Sequence, residues 1–141
     1  MSEAITVVDY GVSNVRSMVN MIKKVGCEAI VATDPAHIHA ARRIILPGVG
    51  SFDNGIIALQ QRGLFDAIKE KMERAPVPLL GVCLGMQLLG EGSDEGELEG
   101  FGFVKGKSRR FQFDQGSPYR IPHMGWNELI FFCHSHQLFA R

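Results

Sequence analysis

Short apolar runs rich in β-branched residues alternate, through the first half of the chain, with stretches whose apolar residues recur every three or four positions. The first pattern predicts buried strands and the second amphipathic helices. Residues 4–9 form the first run and stop at Tyr10-Gly11. A turn, Gly11-Val12-Ser13-Asn14, leads into a helix with Val15, Met18, Val19, Ile22 and Val25 on one face and Gly26 as its stop. Residues 29–32 give a second strand, and Asp34-Pro35 begins a brief helix ending near Ala41. A third strand over 43–46 precedes Pro47-Gly48-Val49-Gly50-Ser51-Phe52. The next helix has Ser51 or Asp53 as its cap and Phe52, Ile56 and Leu59 facing inward. A further helix over 64–74 ends before Pro76 and Pro78, and Val77-Pro78-Leu79-Leu80 reads as a buried strand. Met86, Leu88 and Leu89 then read as the first turn of a helix.

Strands that alternate with helices through short turns imply an α/β fold, a mainly parallel sheet with helices on both faces. Sites in such sheets lie beyond the carboxyl ends of the strands. Three loops fall there: residues 11–14, residues 47–52 and the turn at Cys83. After Gly90 the pattern changes. Residues 91–99 are acidic and residues 105–110 basic, which reads as solvated surface. Phe101, Phe103, Phe111 and Phe113 repeat at period two in pairs and predict an antiparallel ribbon. Residues 129–141 are apolar and aromatic without a clear period.

Composition narrows the function classes. Fifteen basic and fifteen acidic residues leave no formal net charge over 141 residues, so no basic excess argues for nucleic acid. With 45% hydrophobic content the chain is expected to form one domain with a real core. The start enters a strand pattern directly, without a signal-like segment, and no apolar run approaches the ~20 residues that span a bilayer. Cys27, Cys83 and Cys133 are odd in number and widely spaced, which argues against a disulfide framework or a metal site and for a cytoplasmic setting.

The chemistry concentrates at Gly81-Val82-Cys83-Leu84-Gly85. This is a Gly-x-nucleophile-x-Gly turn between a strand and a helix, with cysteine at the centre. A helix N-terminus aimed at sulfur favours the thiolate, the reactive form. The competing reading is a buried cysteine whose neighbouring glycines only ease the crossing. Pro47-Gly48-Val49-Gly50 presents backbone N–H groups: Val49 or Gly50 could supply one oxyanion donor and Leu84 the other, although Pro-Gly turns are common for structural reasons alone. A thiol nucleophile needs a general base. His37 and His39 lie on an expected surface helix, and nothing in their settings marks His123, His134 or His136 as that base.

Together these segments resemble the class I, triad-type glutamine amidotransferases, and within them the glutaminase subunits of imidazole glycerol phosphate synthases. The resemblance rests on Val8-Asp9-Tyr10-Gly11 with Asn14, Leu46-Pro47-Gly48-Val49-Gly50-Ser51-Phe52, the turn from Gly81 to Leu89, Ser93-Asp94-Glu95-Gly96, and Pro122-His123-Met124-Gly125-Trp126-Asn127. It implies a flavodoxin-like sheet in a single domain over 1–141, with Cys83 as nucleophile. It further implies an oxyanion site at Val49 and Leu84, glutamine contacts from Gly48, Gln87 and Glu95, and a partner-facing side with Asn14, His123 and Trp126. Neither cofactor nor metal is implied. The implied partner is a (β/α)8 barrel cyclase that receives ammonia from L-glutamine. Two departures accompany the likeness. Ser13 stands where the family usually has glycine. No His-Pro-Glu segment, which carries the family's catalytic histidine and glutamate, occurs in the chain; Phe131 to His136 is only faintly like the stretch that precedes it. The C-terminal part is therefore expected to be incomplete, and the chain inactive or nearly so and marginally stable or prone to aggregate. Three alternatives stand beside this reading: a shortened relative that only docks on a barrel partner, a glutaminase that supplies ammonia to another pathway, and a different cysteine hydrolase using His134 or His136.

Overall fold

The structure, a computed structural model, describes residues 4–128 and 130. The chain divides into two compact units, Met1–Arg110 and Phe111–Arg141. In the first unit β1 (Ile5–Val8), β2 (Ala29–Ala32), β3 (Ile44–Gly48) and β4 (Leu79–Cys83) form one parallel sheet in the order β2-β1-β3-β4. The helices between them are α1 (Val15–Lys24), α2 (Pro35–Ala40), α3 (Phe52–Gln61) and α4 (Leu64–Arg74), and α5 (Leu84–Leu88) follows β4 directly.

The helix ends show why the pattern was readable. Asn14 caps α1 by accepting the Ser17 N–H at 3.3 Å. At the other end Gly26 adopts φ +83, so that its N–H and that of Cys27 reach back to the carbonyls of Lys23 and Ile22. Asp34 caps α2, with Pro35 in the first turn. Neither candidate cap of α3 makes a capping bond: Ser51 occupies the position without one, and the Asp53 carboxylate is engaged elsewhere.

The core lies on one face of the sheet. Val8, Tyr10, Ala32, Ile44 and Leu46 are buried together with Ile38, Phe52, Ile56, Leu59, Leu64, Ile68, Leu84 and Leu88 from α2 to α5. The opposite face is met by α1, whose Ile22 is buried. Helices thus stand on both sides, as expected, but unequally.

Two expectations fail. The strand leading to Cys83 starts at Leu79 and is not buried along its length: Leu80 is 48% exposed, because among the described residues β4 is an edge strand whose side chains on the α1 side are left largely uncovered. The phenylalanine pairs form no antiparallel ribbon. Gly102 and Gly106 take positive φ values that break an extended course, and Phe101 turns inward to stack on Phe65 at 4.4 Å. The ordered pairing in this region is a short parallel ladder, β5 (Gly92–Ser93) with β6 (Lys107–Ser108).

The second unit has no helix or strand among its described residues. Phe111, Phe113 and Tyr119 stack on one another there, and Asn127 donates its amide to His123 Nε2 at 3.0 Å. Trp126 is fully exposed. Cys133, His134 and His136 lie outside the described residues. Among the described residues no helix is long and apolar enough to cross a membrane.

Candidate active site

Cys83 ends β4 and forms the N-cap of α5, with φ 55 and ψ −118. Among the described residues it is the only one other than glycine with positive φ. Such a conformation costs on the order of 1–3 kcal/mol, and it presents the side chain at the carboxyl edge of the sheet, where Cys83 is exposed. The flanking glycines are dictated by crowding. A Cβ on Gly85 would collide with the Leu46 carbonyl, and one on Gly81 would lie 2.6 Å from Met86 Cα. The sharp strand-to-helix turn expected from sequence is therefore the observed one.

Gly48 is the direct ladder partner of Cys83 across β3 and β4. A side chain at Gly48 would strike the Tyr10 hydroxyl, and Leu84 Cβ and Gly85 N also close in on that point, each 3.0 Å away. The Tyr10 hydroxyl is fully enclosed here and has no hydrogen-bond partner. Burial pushes its pKa above the ordinary phenol range, and the charge of an ionised Cys83 pushes the same way.

Of the two oxyanion donors expected from sequence, Leu84 opens α5, whose first N–H groups have no acceptor within the helix. Val49 lies in the loop after β3, and in this conformation its N–H donates to the Val12 carbonyl at 2.9 Å. Gln87 is half-buried one turn beyond Cys83 on α5. Glu95 is exposed, with its N–H held by Ser93 Oγ at 3.1 Å. Asn14 lines, with Met18, Met21, Pro47, Val82 and Cys83, an open groove of about 330 Å³ on the α1 side. Ser13, the departure in the adjoining loop, has a buried hydroxyl without a partner. The structure thus gathers Gly48, Val49, Leu84 and Cys83 at one sheet edge, with Asn14 on the same groove. His123 and Trp126 belong to the second unit.

His37 and His39, expected only to be solvated, each face a carboxylate. His37 Nδ1 is 2.8 Å from Asp34 Oδ2, and His39 Nε2 is 3.9 Å from Glu70 Oε2. No cluster of histidine, cysteine and acidic side chains suited to a metal occurs among the described residues.

Sequence reasoning gave no role of their own to two residues that touch the site, Tyr10 against Gly48 and Val12 against Val49. Both contacts join segments distant in sequence, which periodicity does not encode.

Comparison with known proteins adds an independent line. A family model described as glutamine amidotransferase class-I matches residues 6–138. The imidazole glycerol phosphate synthase subunit HisH 2 of Methanococcus maripaludis is 47% identical over 127 residues, which cover 90% of this chain and 62% of that protein. The HisH subunit of Gloeobacter violaceus is 45% identical, over 90% of this chain and 55% of its own length. That of Geobacillus thermodenitrificans is 44% identical, over 90% and 61%. The chain therefore spans less than two thirds of the length of these relatives. A crystal structure of a glutamine amidotransferase superposes with a TM-score of 0.56 at 21% identity, over 63% of this chain and 47% of that one, which bears on the fold. With the family model covering nearly all of it and relatives this similar, the chain belongs to the class I glutamine amidotransferase family.

Proposed function

We propose that this chain is the nucleophile-bearing part of a glutaminase that supplies ammonia to a (β/α)8 barrel cyclase forming imidazole glycerol phosphate in histidine biosynthesis. The observation that carries the reading is the elbow at Cys83, a non-glycine residue held at φ 55 opposite Gly48 and at the start of α5. The relatives, described as imidazole glycerol phosphate synthase subunits, support this narrower reading. The working complex is a heterodimer in the cytoplasm, with L-glutamine as substrate.

In this reading the Cys83 thiolate attacks the side-chain carboxamide carbon of glutamine. An S–C bond forms while charge collects on the carbonyl oxygen, stabilised by the Leu84 N–H. Val49 N–H can join it only if the Gly48–Val49 peptide rotates away from Val12, so the second donor belongs to a rearranged loop. The C–N bond then breaks, the nitrogen leaves as ammonia after taking a proton, and water hydrolyses the thioester to glutamate. Gly48, Gln87 and Glu95 hold the glutamine; Asn14, His123 and Trp126 serve the partner side. Among the described residues, no histidine is placed beside Cys83 as the proton-transferring base.

Alkylation of Cys83 by the diazoketone analogue of L-glutamine tests the reading. L-Glutamine should protect Cys83 and L-alanine should not. Equal labelling with either amino acid present would remove the glutaminase reading. Co-elution with the barrel cyclase, lost on Trp126→Ala, would support the assignment of the partner side; unchanged co-elution would count against it.

A further inference from the structure

Asp53 is the second residue of α3, where a carboxylate is favoured by the helix dipole, yet it makes no capping bond. Its two oxygens reach instead to a loop more than forty residues away. Oδ2 accepts the Glu97 N–H and Oδ1 the Leu98 N–H, each at 3.1 Å. Both are charge-assisted bonds to backbone, the stronger kind of hydrogen bond. Gly96 packs so closely that a Cβ there would collide with Asp53 Oδ1 and lie 2.6 Å from its Cγ. The contact is therefore a two-point clasp with a glycine pressed into it.

Its position gives the clasp a consequence. Glu95 stands two residues before the first clasped N–H, next to the packed Gly96, and its own N–H donates to Ser93 Oγ. Helix α3, which carries Asp53, packs against α5, which carries Gln87 and begins beside Cys83: a Cβ on Gly55 would meet Leu84 Cδ2 at 3.1 Å and Leu88 Cδ1 at 3.2 Å. The acidic loop and the nucleophile are thus referenced to the same pair of helices. We infer that Asp53 is a positioning residue for glutamine, acting through the loop of residues 95–98 to hold Glu95 at a fixed distance from Cys83. The inference rests on the glutaminase reading and deepens it. A clasp that only fastened a surface loop would affect stability and leave ligand recognition unchanged.

The test compares two alkylating agents on the full chain, with Cys83 modification followed by peptide mass. The diazoketone analogue of L-glutamine must bind before it reacts: the thiolate displaces dinitrogen, an S–C bond forms, and the carbon takes a proton from solvent. Iodoacetamide needs no binding site and loses iodide directly. For Asp53→Ala the concentration of diazoketone giving half-maximal rate should rise roughly tenfold or more, since misplacement of a binding group by about 1 Å is costly. The limiting rate and the iodoacetamide rate should stay within about twofold of the parent. Asp53→Asn, which keeps one acceptor and turns an amide toward the second N–H, should fall between. Gly96→Ala should reproduce the loss, and adding it to Asp53→Ala should cost little more, because the colliding carboxylate is already gone. If the half-maximal concentration is unchanged in Asp53→Ala, or if both agents slow equally, the assignment is overturned while the glutaminase reading stands. If the parent chain shows no saturation with the diazoketone, the glutaminase reading falls and the assignment with it.

Discussion

The two faces of the sheet are built to different standards. Under α2 to α5, Val8, Ala32 and Leu46 are completely enclosed. On the side of α1, Leu80 is about half exposed, Val82 only half-buried, and Met21 of α1 itself is 57% exposed. Val7 of central β1 is nonetheless fully enclosed on the α1 side, and Ile30 of β2 is 44% exposed on the other, so the contrast is strongest along β4 and residue type does not set it. Coverage does. The elbow belongs to the closed face through Gly85 and Leu84, which lock onto Leu46 and α3, whereas the Cys83 end of the groove opens toward the other face. The nucleophile therefore rests on the closely packed side and is reached from the more open one.

Truncation separates the faces most strongly. Leu46→Ala should cost about 2–5 kcal/mol through lost burial and a cavity, whereas Leu80→Ala should stay within about 0.5 kcal/mol. Urea midpoints measured on both variants check this, and equal losses would show that the α1 side is as tightly packed as the other. Next in size is the elbow. Cys83→Gly, which removes the Cβ at φ 55, should raise stability by about 1 kcal/mol while abolishing alkylation at this position. A destabilised variant would mean that the cysteine side chain contributes more by packing than its backbone costs.

Tyr10 tests the closed face from within. Its hydroxyl is enclosed without a partner, so Tyr10→Phe should be neutral or slightly stabilising by thermal melt. The sign of its pH effect follows from the upward shift. The phenol gives up its proton more readily in the unfolded chain, so its contribution is intact below the ordinary value of about 10 and is lost as pH rises above it. Tyr10→Phe should flatten that alkaline fall. The smallest effect belongs to Asp34 at the exposed start of α2. The His37 N–H, followed by the His37 ring, holds its carboxyl below the ordinary carboxylate range. The cap is complete above that range and weakens as pH falls through the lowered value. Asp34→Asn, which keeps an acceptor for the cap, should show a shallower acid dependence in a melt series.

Local signals account for what was legible. Helix α4 runs over 64–74 and β2 over 29–32, both as the pattern reads, because Gly63 and the closing prolines mark the first and the β-branched run marks the second. The elbow was legible because nucleophile and glycines are adjacent in sequence. The exposure of Leu80 was not, since an apolar residue looks the same on a covered strand and on an edge strand. The phenylalanine period misled because Phe101 packs on Phe65, 36 positions earlier, and glycines interrupt the run. Asp53 reads locally as a cap candidate. Its actual partners, Glu97 and Leu98, carry no local mark, and the engagement of Val49 N–H with Val12 likewise joins two loops that sequence keeps apart.

The central claim is that Cys83 attacks the carboxamide of glutamine, and the most direct measurement is to quench the chain with acid during incubation with L-glutamine and read the mass of the peptide containing Cys83. The account predicts a glutamyl group in thioester linkage on Cys83, absent from Cys83→Ala. A glutamyl group that persists in Cys83→Ala, or Cys83 recovered without one while ammonia is still released, would contradict it.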